Sequence, residues 1–325
     1  MTDAPEIKVQ NVTKVVYSDV IKGRQTIIRD LSVNFASGRS SALLGHNGAG
    51  KTTTIKLILG LVRPTTGHVT IDGHAVGEAQ RRLIGYMPEV NRIPLVLTPV
   101  EVLNFHLACY RPAKLKDAKS RKEAIEAALQ RVELWDHRNK RVGKLSKGMA
   151  RRLAWAQATI HDPSVLILDE PMSGLDPTGR MAMHHWISEF RAASKTIVFC
   201  SHEMNTVAEL CDDVSILRKG QLVYSSGHSG VSGAAGGYRL SLSGVDENAL
   251  RVLRETGLRN GSRLPQWVRM QHEGFLARLD FAGYADASQW VMAALQQGVV
   301  VTDFGAAPLI DESTLLKYFG KDLEV

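Results

Sequence analysis

Gly45-His46-Asn47-Gly48-Ala49-Gly50-Lys51-Thr52 stands between two apolar runs of different character. Before it, Ser40–Leu44 reads as a short strand that stops at Gly45. After it, Ile55, Leu57, Ile58, Leu59 and Leu61 make a helix that is apolar almost all round, with Gly60 and Pro64 marking its end. A helix of that kind is buried against a sheet. The octapeptide fits G-x-x-x-x-G-K-[ST] in the strand–turn–helix setting the motif requires. Its glycines let the backbone fold so that successive N–H groups face one oxyanion, and the helix N-terminus adds partial positive charge. Gly45, His46, Asn47, Gly48, Ala49, Gly50, Lys51, Thr52 and Thr53 are therefore the expected phosphate cradle. Lys51 is placed to reach the β- and γ-phosphates, and the Thr52 hydroxyl to ligate Mg²⁺. The bland reading is a Gly-rich turn ahead of a buried helix.

Val165-Leu166-Ile167-Leu168-Asp169-Glu170 weighs against that reading. A buried strand ending in two carboxylates offers Asp169 to Mg²⁺ and Glu170 to an attacking water. Many buried strands end in acidic loops, so the hexapeptide alone is weak. Combined with the loop at 45–52 it indicates a nucleoside triphosphatase of the α/β, P-loop fold class.

Composition agrees with a globular chain. In 325 residues, 44% are apolar, and a formal net charge of +7 is spread along the whole length, which excludes a disordered chain. Three cysteines, Cys109, Cys200 and Cys211, form neither a disulfide framework nor a metal-ligand spacing. No uncharged apolar run approaches the ~18 residues of a membrane span. The opening MTDAPEIKVQ lacks the apolar core of a signal peptide, so the expectation is a cytosolic protein. Basic charge is densest from Arg138 to Arg152, with seven Lys/Arg and no Asp or Glu. Read alone, such a run is a solvated face or the footprint of a polyanion.

Further along, 6–16 and 27–35 read as strands and 98–155 as mostly helical. Thr98-Pro99-Val100-Glu101 is a capping box with proline at the first helical position. Thr196–Cys200 is a second buried strand. The expected organisation is an ATP-binding domain over 1–225 with a helical subdomain at about 95–155, a Gly/Ser linker over 226–237, and a small α+β domain over 238–325. The order in the last domain, β-α-β-β-α-β with a short helix at Asp311–Phe319, suggests a ferredoxin-like module.

Further motifs resemble those of the ABC ATPases over roughly residues 6–225. Leu145-Ser146-Lys147-Gly148-Met149, which starts its Ser146 23 residues before Asp169, resembles their signature loop. Ser173-Gly174-Leu175-Asp176-Pro177 resembles their D-loop, Ser201-His202 their switch histidine, and Gly85-Tyr86-Met87-Pro88-Glu89 their Q-loop. Tyr17 sits where the family's adenine-stacking aromatic lies. The resemblance implies that Tyr17 stacks on adenine and that Ser146 and Gly148 meet the γ-phosphate of ATP held by another subunit. It further implies that Glu170 polarises the hydrolytic water, that His202 holds that water, that Glu89 neighbours Mg²⁺, and that Asp176 shapes the dimer interface. Lys144, Lys147, Arg151 and Arg152 then flank the shared phosphate site, and direct nucleic-acid binding is not needed.

ATP and Mg²⁺ are the implied ligands. The implied partners are a second copy (or a related ATPase) on ATP binding and a separate transmembrane permease at the cytoplasmic face of the membrane, its groove near Val90–Tyr110. Leu103 and Phe105 are equally readable there as core residues. Glu89 in place of Gln, Lys147 and Met149 in the signature, and Met172 depart from the usual pattern. With the C-terminal extension, they resemble bacterial ABC-2-type exporter ATPases. A soluble ABC ATPase acting on ribosomes or DNA, and an importer subunit, are the alternatives.

Overall fold

The computed structural model describes residues 4–17, 23–201, 204–226, 238–243, 248–249, 251–253, 255, 267–271, 276–281, 284–297 and 299–306. The chain divides into two compact units, the second spanning residues 228–315.

The first unit opens with β1 (Ile7–Tyr17), β2 (Arg24–Phe35), β3 (Ser40–Leu44) and α1 (Lys51–Ile58). Next come β4 (Thr66–Ile71), β5 (His74–Ala75), α2 (Glu78–Arg82) and β6 (Ile84–Met87). A helical stretch follows with α3 (Pro99–Tyr110), α4 (Ala118–Arg131) and α5 (Lys147–Thr159). β7 (Val165–Asp169), α6 (Pro177–Ala192), β8 (Thr196–Cys200), α7 (Met204–Leu210), β9 (Asp213–Arg218) and β10 (Gln221–Ser225) complete it.

Two sheets result. An antiparallel sheet has the order β2-β1-β4-β5, and a six-stranded sheet has the order β10-β9-β3-β8-β7-β6. In the second sheet every pair is parallel except β9–β10 at one edge. All residues of β3, β7 and β8 are buried, as expected of parallel strands covered on both faces. A single apolar cluster joins the sheets through α1. Ile55, Leu57 and Ile58 pack with Ile7, Ile28 and Phe35 of one sheet and Leu43, Val165 and Val198 of the other. The helix is thus buried as its sequence indicates, but Leu61, just past its end, is 65% exposed.

The helix starts follow local chemistry. Thr98 and Glu101 form the expected capping box on α3, whose first residue is Pro99. Asp117 Oδ1 accepts from Ser120 N at 2.8 Å to begin α4. The three cysteines are free thiols, Cys200 and Cys211 buried and Cys109 exposed. Among the described residues no helix is long and apolar enough to cross a membrane.

The second unit contains β11 (Tyr238–Ser243), β12 (Trp267–Gln271), β13 (Leu276–Phe281), α8 (Tyr284–Gln296) and β14 (Val300–Ala306). Between β11 and β12, residues 248–249 and 251–253 are helical. The sheet order is β12-β13-β11-β14 with every neighbour antiparallel. Leu240, Leu242, Leu279 and Phe281 pack against Trp290, Ala293 and Ala294 of α8. The helix expected at Asp311–Phe319 and nearly all of the 226–237 tract lie outside the described residues.

Candidate functional site: a nucleotide site at the sheet edge

Parallel pairing places the separate motifs side by side. Leu43 of β3 is level with Cys200 of β8, Cys200 with Asp169 of β7, and Leu168 of β7 with Met87 of β6. The residues that follow these strands, Gly45, Ser201, Glu170 and the Pro88-Glu89 pair, therefore emerge at one carboxyl edge. That edge is where open α/β sheets bind ligands.

The loop at 45–52 is shaped for an anion. Gly50 has φ +109, and a Cβ there would lie 2.6 Å from Ile28 Cδ1, so both its backbone and its lack of a side chain are required. Thr54 N donates to Gly50 O at 2.9 Å, closing the first turn of α1. Lys51 is only 9% exposed, and its ammonium bends back over the loop to the carbonyls of Gly45 and, at 3.3 Å, His46. A Cβ at Gly48 would meet open space, and Thr52, one residue into α1, is exposed.

Across from it, Asp169 is 3% and Glu170 8% exposed. Burial, then the charges of Glu89 and Glu170, push Asp169 up to about 6, against the pull of Lys51 and Arg151. Such a concentration of negative charge suits a bound cation. Among the described residues no group of three or more His, Cys, Asp or Glu is arranged to hold a metal. A Mg²⁺ carried by one carboxylate, a hydroxyl and substrate phosphates needs no such cage, so Thr52 and Asp169 fit it. Glu170 takes a left-handed backbone, φ +48, which costs a non-glycine residue of order 1–3 kcal/mol. It is held there from three sides. Its N–H donates to Cys200 O at 2.9 Å, its carbonyl accepts from Arg151, and its carboxylate accepts from Ser201 Oγ at 3.4 Å. Ser201, a residue the motifs gave no role of its own, thus touches the expected water-polarising group. His202 lies outside the described residues. Tyr17 ends β1, its backbone opposite Arg24.

Comparison with known proteins identifies the arrangement. The ABC transporter family model matches residues 28–173. An uncharacterized ABC transporter ATP-binding protein of Synechocystis is 38% identical over 69% of this chain and 63% of its own length. A Nod factor export ATP-binding protein I of Burkholderia orbicola is 32% identical over 70% of this chain and 75% of that protein. The chain belongs to the ABC transporter ATP-binding proteins. A bacterial ABC transporter cassette solved as a dimer superposes with a TM-score of 0.60 at 26% identity, covering 67% of this chain and 97% of the other. The first unit is accordingly an ABC ATPase domain.

In this ABC ATPase the signature and D-loop residues head helices. Ser146 Oγ accepts from Met149 N at 3.2 Å to cap α5, and Asp176 Oδ1 accepts from Gly179 N at 3.0 Å to cap α6. A Cβ at Gly148 would meet open space, so the start of α5 is accessible from outside. Lys147 lies across the D-loop: a Cβ on Gly174, which has φ +71, would fall 2.1 Å from Lys147 Cε.

The basic run is not the uniform phosphate-flanking face that its charges suggest. Arg151 is 3% exposed and turned inward onto backbone carbonyls, and Arg152 pairs with Glu133. Arg151 repeats at helical spacing with Trp155 and Ala158, both 1% exposed, so that periodicity is the signal that marks it as inward-facing. Met172 is also buried, at 3%. Near the Q-loop, a groove of about 560 Å³ is lined by Tyr86, Pro88, Asn91, Ile93, Val102 and Phe105, among others. Leu103 is fully buried core, whereas Phe105 is 69% exposed at the groove.

Proposed function

We propose that the chain is the ATP-hydrolysing subunit of an ABC exporter, working as a dimer beneath a separate permease at the cytoplasmic face of the membrane. The observation that carries this reading is the single sheet edge to which β3, β8, β7 and β6 deliver Gly45, Ser201, Asp169–Glu170 and Glu89. There the loop amides from Gly45 to Thr53 and the Lys51 ammonium bind the ATP phosphates, and Tyr17 stacks on adenine. Thr52, Asp169 and Glu89 face Mg²⁺, which when bound neutralises charge on the β- and γ-phosphates. Glu170, fixed in its strained backbone, orients the attacking water with His202. Ser146 and Gly148, at the open start of α5, meet the γ-phosphate of ATP held by a second subunit, and Asp176 lies at the same interface.

The export role is supported by the named function of the Burkholderia relative and by the departures at Glu89, Lys147 and Met149. The exposed Phe105 and its groove fit an amphipathic helix of the permease. Residues 1–225 are read as the ATPase domain, 226–237 as a linker and 238–325 as an accessory module.

The test is the Glu170→Gln variant. It should retain ATP, form an ATP-dependent dimer by sedimentation, turn over slowly, and co-purify with a polytopic membrane protein from gently solubilised membranes. Recovery with ribosomes or DNA-bound proteins and no membrane partner would replace transport by the soluble reading.

A further inference from the structure

Arg151 uses its whole guanidinium on backbone. Nε donates to Pro171 O at 3.3 Å; one terminal nitrogen donates to Pro88 O at 2.5 Å and Glu89 O at 2.9 Å; the other donates to Asp169 O at 3.2 Å and to Glu170 O. Five N–H groups meet five carbonyls, so the donor capacity of the side chain is filled. The acceptors belong to the two loops that carry the site's carboxylates, one after β6 and one after β7. The donor belongs to α5, one turn past Ser146. Burial lowers the affinity of this group for its proton, while Asp169, Glu89 and Glu170 offset that loss. A buried cation is costly without such neighbours.

We infer that Arg151 is a positioning residue that ties the Glu89 loop and the Asp169–Glu170 corner to the signature helix. The inference rests on the ATP-site reading above. Arg151 touches no expected nucleotide atom; it fixes the carbonyl of Glu170, hence the left-handed turn that aims the carboxylate. When a second subunit's ATP engages the start of α5, the same helix holds both carboxylate loops in place. Lysine has three donors and no planar fork, so it cannot reproduce the five bonds.

The test uses the full chain with Arg151→Lys, measuring MgATP turnover, binding of a fluorescent ATP analogue and thermal melting. Arg151→Lys should lower kcat about tenfold or more while KM and analogue affinity stay within about threefold, since it moves the carboxylate and not the phosphate cradle. Equal losses in kcat and affinity, or a lowered melting temperature with unchanged kcat, would each overturn the inference.

Lys51→Ala separates the two levels. If it still binds the analogue like the unsubstituted chain, the ATP-site reading has failed, whatever Arg151 does. Should Arg151→Lys not fold, hydrogen exchange of the unsubstituted chain decides. ATP should raise protection together at 88–91, 147–151 and 169–171, and protection confined to 147–151 would refute the coupling.

Discussion

The phosphate loop and the start of the signature helix are both glycine-containing helix N-termini, yet their sequences are informative to different degrees. In the loop at 45–52, function resides mainly in backbone geometry, and the residue types that permit that geometry are legible one by one. Gly50 needs its φ of +109 and its missing Cβ, and Lys51 needs only to follow it. Around 138–152, function resides in side chains whose directions depend on what lies opposite. Seven basic residues in one run look alike in sequence. In the fold Lys147 covers a D-loop glycine, Arg151 is a buried strut and Arg152 is paired with Glu133. A charge run therefore says how much charge is present, not where it points.

Five changes test that contrast. The largest effect belongs to Lys51→Ala, which should reduce MgATP hydrolysis by about a hundredfold or more by removing the loop's cation. A phosphate-release assay that shows near-normal turnover would mean the loop works without its lysine. Gly50→Ala should cost about 2–4 kcal/mol, combining left-handed strain with overlap on Ile28. Denaturant unfolding reads this directly, and a cost near zero would show that the loop geometry is not demanded by the backbone.

On the other side of the comparison, Gly174→Ala should cost about 1–3 kcal/mol from backbone strain and from the clash with Lys147. Lys147→Ala in the same chain should restore only the clash part. If the pair is additive, the lysine does not lie on the D-loop in solution.

The smallest effect concerns the far end of α5. His161 Nδ1 lies 3.0 Å from His106 Nε2 and its Nε2 lies 3.1 Å from Ile84 O, with Tyr110 stacked on the His106 ring and tilted against the His161 ring. Burial holds His106 at about 3 and His161 at about 4, below the ordinary 6.5. The unfolded chain therefore takes up these protons first. Stability should be full above pH 6.5, fall as pH drops from about 6.5 to about 3, and level off below the folded values. Melting temperatures across pH 7 to 4.5 should show a shallower decline for His161→Gln. Parallel curves would remove this pair as the cause.

Much of the fold was readable because each element carries its own signal. The strand 40–44, the buried helix after it, the capping box at Thr98 and the strands at 165–169 and 196–200 all lie where their patterns place them. The exposure of Phe105 beside a fully buried Leu103 was not readable, because neighbours on a helix face different surroundings. Nor was the role of Ser201, whose partner Glu170 is 31 residues away along the chain.

By itself, the sequence determined the ATP-binding loop, the buried strand ending in Asp169 and Glu170, and the family to which both belong. These depend on backbone permissiveness and hydrophobic period, which are local properties. Only the tertiary structure decided that four strand ends share one edge, that Arg151 turns inward onto five carbonyls, and that Lys147 crosses Gly174. Those outcomes depend on strand order and helix packing, which bring together residues that no spacing in the sequence connects.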